Sequence, residues 1–116
     1  MNAKQLRDEA ARLRMDAKTL RTQADRFKYN AADFDKAGDK EKASIEATEA
    51  AKLLEQAAQE ERDADQHEQG AGEQEARAAA IESEQSALQQ AHDQRMKELE
   101  QKKTELRGGV GAGLFS

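Results

Sequence analysis

The sequence has no cysteine, no proline and no tryptophan, and aromatic residues make up 3% of its 116 positions. Without cysteine, disulfides and thiolate metal centres are excluded. Without proline, the strongest helix breaker is missing over a length that corresponds to one domain. Few aromatics and a hydrophobic share of 36%, much of it alanine, exclude a thick globular core. Any fold must bury narrow stripes. No apolar run approaches the roughly 20 residues of a membrane-spanning helix. The start, Met1-Asn2-Ala3-Lys4-Gln5, reads as charged and helical with no signal peptide. These features predict a soluble chain, cytoplasmic or part of a large assembly.

What the sequence does contain is a repeat. Leu6, Ala10, Leu13, Ala17, Leu20, Ala24, Phe27, Ala31 and Phe34 advance in alternating steps of four and three, the spacing of a heptad seam. Large residues hold one seam position and alanine the other, so the stripe demands a partner helix at close range. This regularity decides against disorder, which the 37% charged content and mean hydropathy of -1.09 would otherwise suggest.

Glycines divide the chain. Gly38, then Gly70 and Gly72, then the run from Gly108 predict three helices over about residues 3–37, 39–69 and 73–107, together one helical domain at 1–107. Gly38 fits a left-handed helix terminus and Asp39 a cap for the next helix, a combination that predicts an antiparallel hairpin. Charge agrees. Residues 1–37 carry nine Lys/Arg against six Asp/Glu, and residues 38–72 carry four against ten. A basic helix folded back on an acidic one is favoured over like-with-like pairing.

The second helix offers Ala43, Ala47, Ala50, Leu54, Ala57, Glu61 and Ala64 as its seam, with Leu53 and Ile45 as the other bulky residues. The third has Ile81, Leu88, Leu99 and Leu106 at spacings of 7, 11 and 7, the long step reading as a stutter. It either closes a three-helix coiled coil or meets another chain. After Arg107, four glycines in nine residues predict that the helix stops and that residues 108–116 form a flexible tail ending in an apolar docking pair, Leu114 and Phe115.

Chemistry-bearing patterns are scarce. His67 and His92 lack a glutamate three residues before them, the pairing that helical metal sites use; those positions are Ala64 and Gln89. Carboxylate pairs such as Glu60-Glu61 and Glu73-x-Glu75 read as a solvated face, because acid–base catalysis needs one carboxyl group desolvated. No phosphate-cradling glycine loop precedes a helix. The expectation is a non-enzyme with no cofactor, metal or small-molecule substrate. Arg7, Arg14, Lys18, Arg21 and Lys28 form a basic arc that could follow phosphates, but the net charge of -5 weighs against nucleic acid, and the same residues can flank an acidic helix.

Leu6-Arg7, Leu13-Arg14 and Leu20-Arg21, recurring among alanines, make the first helix resemble the small helical-hairpin substrates of type VII secretion. Tyr29-Asn30-Ala31-Ala32-Asp33 is similar to their Tyr-x-x-x-Asp export signal. In that family the signal follows the second helix and a Trp-x-Gly turn joins the two; here the turn is Lys36-Ala37-Gly38-Asp39. The hydrophilic Ala/Glu/Lys/Gln composition also resembles late-embryogenesis-abundant proteins, whose repeat is eleven residues where the first helix keeps seven. The leading expectation is a coiled-coil assembly or adaptor subunit, of the kind found in virions and secretion or injection machines, that binds a protein partner or itself. Its binding residues would be Leu6, Leu13, Leu20, Phe27, Phe34, Leu54, Ile81, Leu88, Leu99, Leu106, Leu114 and Phe115. The alternatives are a hydrophilic chain that folds on binding or desiccation, and a small secreted helical hairpin.

Overall fold

The computed structural model describes residues 1–115, with side-chain placement through residue 108. It contains two α-helices, α1 at Ala3–Lys36 and α2 at Lys40–Phe115, and divides into two units, Met1–Glu75 and Ala76–Ser116. The first unit is an antiparallel helical hairpin.

Both ends of α1 are closed by local chemistry. The Asn2 side chain accepts a hydrogen bond from the Gln5 backbone N–H at 2.8 Å, while the Asn2 N–H donates to Gln5 Oε1 at 2.9 Å, a reciprocal capping box. At the other end Gly38 takes φ +82°. Its N–H donates to Asp35 O at 3.0 Å and the Asp39 N–H donates to Phe34 O at 2.9 Å, which satisfies carbonyls that the helix end would otherwise strand. Asp39 then caps α2, its Oδ1 accepting from the Lys42 N–H at 3.1 Å. The chain thus reverses within three residues.

Two expectations change. The second and third predicted helices are one, because α2 runs unbroken through Gly70-Ala71-Gly72; a three-helix arrangement is replaced by two helices. Glycine in a helix interior costs only about 1 kcal/mol relative to alanine, and here Ala71 is fully buried and Leu6 Cδ1 lies 3.6 Å from where a Gly70 Cβ would be. That packing holds the segment helical. The helix also continues past Arg107 to Phe115, since glycine lowers helix propensity without barring helical dihedrals. The docking role assigned to Leu114 and Phe115 lies outside the residues whose side chains are described.

The buried residues of the hairpin are Ala10, Ala17 and Ala24 of α1 and Ala50, Ala57, Ala64 and Ala71 of α2. All are alanines, and within each helix they recur at heptad spacing. Leu6, Leu13, Leu20, Phe27 and Phe34 are half-buried beside them. Alanines are thus the most completely shielded residues of both helices, and the larger α1 side chains stay partly exposed.

The two glycine environments predict opposite outcomes. A Cβ at Gly70 meets Leu6 at ordinary contact distance, so Gly70→Ala should stabilise the hairpin by about 1 kcal/mol. Gly38→Ala forces a side chain into the left-handed region and should destabilise it by about 1–2 kcal/mol. Urea melts followed by far-ultraviolet circular dichroism measure both.

Candidate functional site

In the hairpin unit a ladder of ion pairs joins the two helices. Arg7 reaches Glu75, with a second contact from Nη2 to Oε2 at 3.1 Å. Arg14 pairs with Glu68 and, at 3.0 Å, with Asp65. Arg21 is bidentate to Glu61 at 3.0 and 2.7 Å. Each heptad step up α1 matches a heptad step down α2. Arg12 of α1 forms its own bridges to Glu9 and Asp16 within the helix.

A chain that reverses about Gly38 and lays Leu6 against Gly70 brings Leu6, Leu13, Leu20, Phe27 and Phe34 level with Ala71, Ala64, Ala57, Ala50 and Ala43, while the longer Arg and Glu side chains reach along the helices to pair. Conversely, the α1 alanines Ala10, Ala17, Ala24 and Ala31 stand level with His67, Glu60, Leu53 and Glu46, all half-buried. Large faces small in every layer. The predicted α2 seam named Ala50, Leu54, Ala57, Glu61 and Ala64, and each of these is buried or half-buried. It also named Ala47, which is exposed. The sequence reading named Leu53 but set it off the seam, and it missed Glu46, Glu60 and His67 as seam positions. Two of these are glutamates with Oε2 buried and unpaired by any protein group; their polarity hid them from a search for apolar spacing. Bulk complementarity with the α1 alanines was the signal that could have found them.

Three of the five residues in the basic arc, Arg7, Arg14 and Arg21, are engaged by carboxylates of α2. The Arg14 guanidinium holds Glu68 below the usual carboxylate range and Arg7 does the same for Glu75. Glu9 is lowered chiefly by its hydrogen bond to Arg12, with a smaller contribution from His67. Arg7, Arg12 and Arg14 are raised in return by Glu75, Glu9 and Glu68 respectively. The Arg–Glu partners between the helices keep 41–53% of their side-chain surface exposed, so solvent and salt screen them. They discriminate register more than they add stability.

In the second unit every side chain described is exposed. Ile81, Leu88, Leu99 and Leu106 retain 55%, 64%, 49% and 69% of their surface, and Met96 retains 52%. The structure therefore brings together the α1 binding residues and Leu54, and leaves these four unpartnered. Tyr29 is also exposed, off the hairpin contact.

Among the described residues, no group of three or more His, Cys, Asp or Glu side chains is arranged to hold a metal ion, and no helix is long and apolar enough to cross a membrane. Surface depressions lie beside Lys52, Glu55, Gln56, Gln59 and Arg62, and beside Thr22, Gln23, Arg26 and Phe27. Comparison with protein-family models, with curated proteins and with solved structures finds no match to this chain.

The depressed carboxylates give a pH dependence of definite sign. A glutamate whose folded pKa is lowered contributes stability that is complete above its unfolded value, about 4.3, and is lost as pH falls through the folded value. Glu68→Gln should therefore lower the melting temperature at pH 7, and the gap from the unmodified protein should close as the pH is taken below 4.3. Added salt at pH 7 should narrow the same gap.

Proposed function

We propose that this chain is a non-enzymatic structural protein, an α-helical coiled-coil subunit or adaptor of a larger protein assembly. The observation that carries this reading is the row of alanines at the hairpin contact. The fully buried residues among those described are Ala10, Ala17, Ala24, Ala57, Ala64 and Ala71, with Ala50 at 2% exposure. Read as an alanine-rich coiled-coil seam, they join two helices at close range and leave the outward faces free for other chains.

The exposed apolar line of residues 81–106 supports the same reading. Scattered apolar residues on a surface are ordinary, whereas several aligned on one helix face mark a partner surface. Where the fold brings carboxylates together it sets them against arginines. That arrangement joins the two helices; catalysis by paired carboxyl groups requires their environments to differ. The three engaged arginines are correspondingly less available to phosphates, which favours a protein partner over nucleic acid. The tail, with Leu114 and Phe115, would add a second contact in such an assembly.

Two measurements test the proposal. Ala17→Leu or Ala57→Leu forces a large side chain into the closest contact and should each cost about 1–3 kcal/mol of hairpin stability, read from cooperative thermal melts in dilute buffer. A chain with little helix in dilute buffer would instead favour folding on binding. For the assembly role, the native complex, crosslinked and sized by light scattering, should have a defined stoichiometry above one chain. A monomer at native concentration would contradict it.

A further inference from the structure

The apolar line of the second unit has a symmetry that identifies its partner. Its spacings, 7, 11 and 7, read the same from either end. On a straight helix of about 100° per residue, a seven-residue step falls about 20° short of two turns and an eleven-residue step runs about 20° past three. The deviations cancel, so Ile81, Leu88, Leu99 and Leu106 keep to one narrow face. A stutter that would disturb a longer coiled coil here holds four exposed residues in line.

We infer that this face is a self-association surface, on which residues 81–106 of α2 pair with the same residues of a second copy, antiparallel about a two-fold axis between Asp93 and Gln94. That axis sets Ile81 level with Leu106 of the second copy, and Leu88 level with its Leu99. All four large residues then meet an apolar counterpart, as an isologous interface requires.

Parallel pairing would also match the four residues, each to itself, and charge separates the two arrangements. Residues 76–93 carry Arg77 against Glu82, Glu84 and Asp93, whereas residues 94–107 carry Arg95, Lys97, Lys102, Lys103 and Arg107 against Glu98, Glu100 and Glu105. A parallel pair stacks acidic on acidic and basic on basic. An antiparallel pair sets each acidic half against a basic one. One contact is specific. Glu84 and Lys102 are five full helical turns apart, so they lie on the same flank of the apolar line, the flank-to-flank relation that antiparallel helices bring together. The two-fold axis sets them level to within one residue, twice per dimer.

This inference rests on the assembly reading and names the partner that the exposed face takes. Its test uses the full-length chain. Sedimentation equilibrium should show a monomer–dimer equilibrium. Leu88→Asp with Leu99→Asp should abolish the dimer and leave the hairpin melt unchanged. Glu84→Lys and Lys102→Glu should each weaken the dimer by about five- to ten-fold, and the two together should restore it. Orientation is read from disulfides, since the chain has no cysteine of its own. Leu88→Cys mixed with Leu99→Cys should oxidise to the mixed dimer faster than either does alone. A chain that stays monomeric, or a Leu88→Cys chain that crosslinks to itself preferentially, overturns the inference. A monomer that still enters a larger native complex would do so while the assembly reading stands.

Discussion

The hairpin unit depends on the reversal at Gly38, which lays α2 back along α1 so that alanines of both helices are shielded from solvent. A helix pair faced with leucine holds its axes apart by the bulk of the side chains between them. Here Ala10, Ala17 and Ala24 are fully buried in α1, and Ala57, Ala64 and Ala71 in α2. The large residues of α1 are half-buried and level with the alanines of α2. Glu46, Glu60 and His67 are half-buried at the level of the α1 alanines. Hydrophobic area buried this way is modest, so charge adds to what bulk and the turn specify.

The charges repeat with the helices. Arg7, Arg14 and Arg21 repeat with the heptad on α1, and Glu75, Glu68 and Glu61 repeat with it on α2. A slip of one heptad leaves an arginine or a glutamate unpaired at one end, and a shorter slip also moves the large residues off the alanines. Charge and bulk favour the same alignment, which is the consistency expected of a sequence that encodes one pairing.

Much of this was legible in the sequence. The α1 stripe from Leu6 to Phe34, the Gly38 reversal and the Asp39 cap all follow from spacing and backbone chemistry. The α2 alanines at 50, 57 and 64 were legible too. The other seam positions were not, because Glu46, Glu60 and His67 are polar and a search for apolar periodicity passes over them in favour of Ala47. Gly70 and Gly72 misled for a different reason. Glycine marks where a helix can end, and only the packing of Ala71 and Leu6 decides that it does not end there. Glycine at 38 differs because its φ of +82° is a conformation that other residues resist. The four exposed residues of the second unit were legible as a spacing, and their mirror order becomes meaningful once none of them is covered by the chain's own fold.

The central claim is that α1 and α2 touch through alanine in one register. It is tested most directly by nuclear Overhauser effects between methyl groups in the isotopically labelled, otherwise unmodified protein. The account predicts cross-peaks from the Leu20 methyls to the Ala57 methyl and from the Leu13 methyls to the Ala64 methyl. Cross-peaks displaced by a heptad, linking Leu20 to Ala64 or Leu13 to Ala57, or no methyl contacts between the helices at all, would contradict it.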